Sequence, residues 1–389
     1  MKNLFYSLFT FFFLVLVVIW GGMSLLQVRK GSLNAKEPDL EQPLRATFSQ
    51  ALSENFPFKN RFVDLNGAYC RALGFRHCND RLRYRNGMLG RSYDGFNSNK
   101  LTLVAMNIQE DSDFCRERKI PFLFVLAPCK IDLQGELFPE GWQVGNPNQA
   151  GMRVAESLCE QNVEVLNLIP VFAQTVEDVN RCFFETDHHW RYETALCATR
   201  MLVDRLADLL MDVSLKGENR LKEKNWTWRD MGSVFLGSHG RRVGRYFGGF
   251  SRFRYCIPKY RTDICRKNLS LGKITEGDFV KAEMLMRVLK IKDPYGANKY
   301  ALYTGCDVGL QVHANRLAPS DRRIMLIKDS FGDPVAAYLA TVFKSVIQVD
   351  PRRLKEGENV QALIRYYNPD VVVVLYGASS LFGDKERRK

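Results

Sequence analysis

Two short segments hold the side chains best suited to moving protons and acyl groups. The first is Thr186-Asp187-His188-His189-Trp190. An aspartate two residues before a histidine, on a strand-to-helix loop, can hold one imidazole nitrogen and leave the other free. The carboxylate then fixes the tautomer and stabilises the imidazolium formed when the ring accepts a proton. Two of the chain's five histidines are adjacent here. The second segment is Lys328-Asp329-Ser330-Phe331-Gly332, which follows the apolar run RIMLIK at 323–328 and precedes a helical pattern. A serine at that junction has its N–H at a helix N-terminus, where a developing oxyanion is stabilised. Its hydroxyl faces the crevice at the carboxyl ends of the strands, where open α/β folds bind ligands. The same place suits a serine that only caps its helix.

The hydrophobic pattern supplies the elements that must position these groups. Dense apolar runs at 120–126, 163–168, 323–328, 345–349 and 370–376 read as buried strands. Helical spacing covers 98–118, the regions near 149–161 and 191–211, then 334–341 and 357–367. Continuous apolar strands alternating with helices indicate a doubly wound parallel sheet covered on both faces, an α/β fold. Asn86-Gly87 marks a hairpin and Phe56-Pro57-Phe58 a turn before a short helix. Residues 215–300 are basic, rich in glycine and aromatics, and read as an irregular insertion or cap with short strands.

Of 389 residues, 46% are hydrophobic and 25% charged, which excludes a wholly disordered chain. The net charge is +13, and 211–300 alone hold 20 Lys and Arg against 9 Asp and Glu. Such a surface suits acidic polymers or anionic lipid head groups. No helix-turn-helix, RNP or zinc-finger pattern accompanies it, so nucleic acid is not an expected partner. Residues 4–26 carry no charge. As a helix they would reach roughly 35 Å, enough for a hydrocarbon core of about 30 Å. With Lys2 before the run and Arg29 and Lys30 after it, it reads as an uncleaved anchor whose short amino-terminal tail stays inside. The expected organisation is an anchor at 1–30, a stalk and helical lead-in at 31–95, and a catalytic domain at 96–389 with the insertion inside it. Ten cysteines include no C-x-x-C; Cys70 with Cys78, or Cys256 with Cys265, could close a small loop in an oxidising compartment, and the others read as buried thiols.

Together the two chemical segments resemble the DHHW family and its AlgJ- and AlgX-type relatives, alginate O-acetylation proteins whose catalytic domain is SGNH-hydrolase-like. The resemblance rests on TDHHW at 186–190 and IKDSFGDPVAAYLATVF at 327–343. Weaker blocks are ENFPFKNRF at 54–62, LAPCK at 126–130, FLGSHGRRVG at 235–244, VDPRR at 349–353 and NPDVVVVLYG at 368–377. It implies an SGNH-like fold with permuted motif order, the Asp/His block preceding the serine. It further implies Ser330 as nucleophile, His189 as general base and Asp187 as its orienter, with His188 and Trp190 in supporting positions. Lys130, Arg241 and Arg352, which lie in the weaker blocks, become candidates for contacting substrate. The oxyanion donors would come from Ser330, Gly332 and Ser379. The last departs from the family pattern, since Gly377-Ala378-Ser379 stands where G-x-N is usual, and a lost donor of this kind can cost on the order of 3 kcal/mol.

The implied activity is acetyl transfer through a seryl ester to an extracytoplasmic polysaccharide, with a membrane-bound O-acyltransferase as partner and neither metal nor other cofactor. The implied location is the bacterial inner membrane, with the catalytic domain in the periplasm. Three other readings compete: a carbohydrate esterase, a non-catalytic glycan-binding scaffold, and a two-metal phosphoesterase spelled by Asp187-His188-His189. The last needs further strand-end aspartates, and the sequence has no second His cluster upstream.

Overall fold

The computed structural model describes residues 56–92, 98–131, 136–142, 145–175, 182–217, 219–305 and 308–381, with isolated positions between 11 and 22. The expected anchor at 4–26 and the stalk up to residue 55 lie almost wholly outside the described residues. Among those described, no helix is long and apolar enough to cross a membrane.

The central sheet has eight strands: β4 (Phe122–Ala127), β5 (Val165–Asn167), β8 (Ile264–Asn268), β9 (Lys273–Gly277), β10 (Leu310–Asn315), β11 (Ser320–Lys328), β12 (Phe343–Val349) and β13 (Val371–Gly377). Their spatial order is β5-β4-β13-β11-β12-β10-β8-β9. Three further short strands, β1 (His77–Cys78), β2 (Arg81–Arg83) and β3 (Leu89–Gly90), form a small antiparallel sheet, and β6 (Trp226–Phe235) pairs with β7 (Ser251–Pro258). The five strands from β5 to β12 are parallel and match the apolar runs of the sequence.

Both faces of that parallel core are buried, which is why its strands read as unbroken apolar runs. In β11, Ile324 and Leu326 join one hydrophobic cluster while Met325 and Ile327 join the other. In β13 the same alternation separates Val371, Val373 and Leu375 from Val372 and Val374. One face is covered by the helices Tyr192–Leu209 and Gly332–Leu339, the other by Ser98–Glu117, Pro147–Glu160 and Val360–Tyr367. Local signals set where the helices begin. The Asn146 side chain accepts from the N–H groups of Asn148 and Gln149, with Pro147 at the first helical position, and Asn359 accepts from Ala362.

The expectation of a wholly parallel sheet is corrected. β10 runs antiparallel to β12, and β8 and β9 continue antiparallel beyond it, so the sheet is mixed. Two of the added strands come from the region read as an irregular insertion. Both cysteine pairs are free thiols. Cys70 and Cys78 are neighbours, and burial followed by the adjacent Cys70 pushes the Cys78 thiol up to about 12.

Candidate active site

Ser330 stands on the turn between β11 and the helix Gly332–Leu339. Two ties hold that turn. The Asp329 carboxylate accepts from the Phe331 N–H at 2.9 Å and from the Gly377 N–H at 2.8 Å, binding the end of β11 to the end of β13. Trp190, fully buried, donates its indole N–H to the Phe331 carbonyl at 3.2 Å. Gly332 is needed because a Cβ there would lie 2.5 Å from the Lys328 Cβ.

The Asp/His segment enters from the loop before the helix Tyr192–Leu209. Its floor is a buried polar knot in which Thr186 accepts from the Gly237 N–H at 3.0 Å and donates to the Phe235 carbonyl at 3.0 Å. The Ser251 hydroxyl accepts from the Thr186 N–H at 2.8 Å. Asp187 Oδ1 meets His189 Nδ1 at 2.5 Å and accepts the His189 N–H at 3.1 Å, while Oδ2 accepts the Ser238 N–H at 2.5 Å. Burial works against the Asp187 carboxylate, but the two imidazoles and these donors outweigh it and hold its pKa well below the usual range. On the far side of the ring, His189 Nε2 lies 2.7 Å from Ser330 Oγ. Three residues separated by up to 143 positions in sequence thus form one continuous hydrogen-bonded series. With Nδ1–H held by the carboxylate, Nε2 is the basic nitrogen and faces a hydroxyl.

Residues 98–234 match the SGNH hydrolase-like domain of the acetyltransferase AlgX. That match contains Asp187 and His189 and stops before Ser330. Among solved structures, PatB1 of Bacillus cereus superposes with a TM-score of 0.62 at 21% identity, over 76% of this chain and 95% of that one. PatB1 with a sulfonyl adduct gives 0.59 at 20%, over 76% and 96%. A DHHW family protein from Eubacterium siraeum gives 0.58 at 14%, over 79% and 94%. The fold is therefore SGNH-hydrolase-like. No curated protein matches the chain in sequence.

The structure places the remaining candidates as follows. His188 leans on the ring of His189 at 3.7 Å between centroids and shares a 2.8 Å hydrogen bond with the Ser238 hydroxyl. Burial and the neighbouring His189 push its pKa down, which keeps the ring neutral. The Ser330 N–H has no acceptor among the described residues, as an oxyanion donor requires. Gly332 does not offer a donor: its N–H is already given to the Asp329 carbonyl at 3.0 Å. Ser379 lies just past β13, two residues beyond the Gly377 that Asp329 holds.

Lys130 is not a surface contact for substrate. It is buried, and its ammonium donates to the carbonyls of Phe184 at 2.8 Å and Glu185 at 3.3 Å, bracing the loop that carries Asp187. Burial lowers its pKa to about 7. Arg352 grips Asp350 through two nitrogens at 2.8 and 2.7 Å. Arg241 is half-buried with no side-chain partner among the described residues.

Asp187, His188 and His189 also form a cluster whose ligand atoms lie within 4.8 Å of one another. Both ring nitrogens of His189 are engaged, by Asp187 and by Ser330, so the arrangement fits proton transfer better than ligation.

Two supporting residues escape a reading of the sequence. Tyr300 stacks on His189 at 3.7 Å with a 9° interplanar angle and donates its hydroxyl to the Ser330 carbonyl at 3.1 Å. No motif announces it, because it lies in the stretch read as insertion. Ser238 sits in the FLGSHGRRVG block, whose glycine has a visible reason: a Cβ on Gly237 would meet the Asp187 Cβ at 2.4 Å.

Proposed function

We propose that this chain transfers an O-acyl group, acetyl by its likeness to the AlgX domain, to a polysaccharide through an ester on Ser330. The observation that carries the proposal is the series Asp187–His189–Ser330, closed by contacts of 2.5 and 2.7 Å. His189 accepts the Ser330 proton as the oxygen attacks the acyl carbonyl. The oxyanion meets the unengaged Ser330 N–H, and the Ser379 hydroxyl is the second donor we assign. Collapse breaks the bond to the donor oxygen, which leaves with the proton from His189. A sugar hydroxyl then gives its proton to His189 and attacks acetyl-Ser330, releasing the ester product and restoring the serine. Water in place of the sugar gives hydrolysis. A membrane-bound acyltransferase would supply acetyl to the outer side of the inner membrane, where the anchor at 4–26 would hold the domain.

A sulfonyl fluoride tests the nucleophile, the class of reagent being suited to a fold in which PatB1 has been solved with a sulfonyl adduct. Intact mass of the full chain should show one adduct, absent in Ser330→Ala. Well-folded protein that takes up no reagent overturns the enzymatic reading in favour of a glycan-binding scaffold. Turnover of p-nitrophenyl acetate, with and without an oligosaccharide acceptor, separates transfer from hydrolysis.

A further inference from the structure

The helix Lys59–Ala72, α1, is amphipathic in the wrong sense for a helix facing water. Its buried face carries Asp64, Gly67 and Cys70. Asp64 accepts from the Arg245 N–H at 2.9 Å and the Tyr295 hydroxyl at 2.6 Å, and a Cβ on Gly67 would strike the Val243 carbonyl. The outward face is apolar: Phe58 is 52% exposed, Leu65 66%, Tyr69 61% and Leu73 52%, with Phe62 exposed between them. Spacings of three and four put these residues on one stripe. Contiguous apolar surface of this kind marks an interaction site.

The stripe leads into a basic hollow. Exposed Phe75 stacks on His77 at 6.0 Å, and His77 meets Trp142 at 5.7 Å. Trp142 lines a cavity of about 370 Å³ with Arg76, Arg83, Arg85, Pro139 and Glu140. Among the described residues none of the three guanidinium groups forms an ion pair, Arg85 donates to the Phe138 carbonyl at 2.9 Å, and one buried nitrogen of Arg83 has no hydrogen-bond partner. Lys59, Arg61 and Arg71 flank the stripe, while the one acidic residue of α1 is buried against Arg245.

We propose that this face lies on an anionic bilayer, the α1 stripe entering the acyl boundary and the arginine hollow holding lipid phosphate. A helix with an apolar face, basic flanks and an adjoining tryptophan fits the interface rather than a protein core. Charge complementarity selects an anionic surface. The sequence upstream of α1 also contains the apolar run 4–26. The proposal goes beyond acyl transfer and does not depend on it.

The test reconstitutes the full chain in nanodiscs containing phosphatidylglycerol with a diazirine-bearing acyl chain, and maps photo-crosslinks by mass spectrometry. Crosslinks should fall on 58–75. They should be scarce on the exposed apolar segment 269–274 of the β8–β9 hairpin. Leu65→Glu with Tyr69→Glu should abolish them. Arg83→Gln and Arg85→Gln should each cut them about fivefold, and phosphatidylcholine discs should do likewise. Thermal melting keeps the variants comparable as folded proteins. Crosslinks confined to residues 1–30, yields indifferent to lipid charge, or protection of the hollow by an anionic oligosaccharide instead of lipid would each overturn the proposal.

Discussion

Asp187 holds His189 through a 2.5 Å contact and is itself held by the Ser238 N–H, so replacing its charge changes both chemistry and stability. In Asp187→Asn the amide can donate to Nδ1, which moves the ring proton to Nε2 and removes the base facing Ser330. Acyl-transfer turnover should fall by about 10⁴-fold while the fold persists. The stability effect has a definite pH window. The folded-state pKa lies below the ordinary aspartate value, so the folded chain binds fewer protons than the unfolded one as pH falls through about 4. The Asp187 contribution is complete above that value and is lost below it. The gap in melting temperature between wild type and Asp187→Asn should thus be constant at pH 6–7 and shrink below about pH 4. Tyr300 separates two supporting effects at the same ring. Tyr300→Phe keeps the stack on His189 but loses the hydrogen bond to the Ser330 carbonyl, and should cost about 1 kcal/mol in the barrier, roughly fivefold in kcat. Tyr300→Ala removes both and should cost more; equal effects in the two variants would show that the ring does nothing.

The elements that deliver these residues differ in how openly the sequence declares them. β11 and β13 were readable because Ile324–Ile327 and Val371–Val374 are apolar at consecutive positions, which only a strand buried on both faces requires. The serine and Asp/His blocks were readable because their residue types and order are distinctive. Short strands were expected in 215–300, but not where β8 and β9 lie or that they join the main sheet: ICRKN and KITEG mix charge with apolar residues, as outer strands with a solvated face do, and their glycine-rich surroundings resemble loop. Tyr300 was hidden for the same reason. Turn glycines are the element-scale test. Gly237 faces the Cβ and Cα of Asp187 and the Thr186 carbonyl, all within 2.7 Å of an added Cβ. Two of those three atoms are backbone, so the strain cannot be relieved by a rotamer change. Gly237→Ala should destabilise by about 1–3 kcal/mol in chemical denaturation. It should also lower serine-probe labelling more than an equally destabilising substitution remote from the loop.

Across the whole molecule, a buried polar chain joins the supposed insertion to the strand that carries the serine. Arg266 of β8 lies 4.0 Å from Glu283, which meets His313 of β10 at 2.9 Å. His313 shares a 3.1 Å bond with Gln348 of β12, whose amide donates to Asp333 at 3.1 Å. Asp333 and Asp350 share Lys328, at the end of β11, and all three are fully buried. The antiparallel half of the sheet is therefore coupled through charge to the turn beneath Ser330. Lys328 is the cation on which Asp333 depends, while Asp350 also keeps the closer Arg352. Replacing it by methionine keeps the volume but leaves both acids in the interior with one fewer partner, and removing one member of a buried pair costs about 3–5 kcal/mol. Burial already lifts Asp333 to about 6 even with the lysine present. Without the lysine it rises further, so the folded chain binds more protons than the unfolded one above pH 4, and stability falls as pH increases. Lys328→Met should be close to tolerable at pH 5, where Asp333 can take a proton, and severely destabilised at pH 8. Denaturation midpoints at the two pH values measure this directly. A penalty independent of pH would mean that Lys328 acts by packing, and that the link between the two halves of the sheet is not electrostatic.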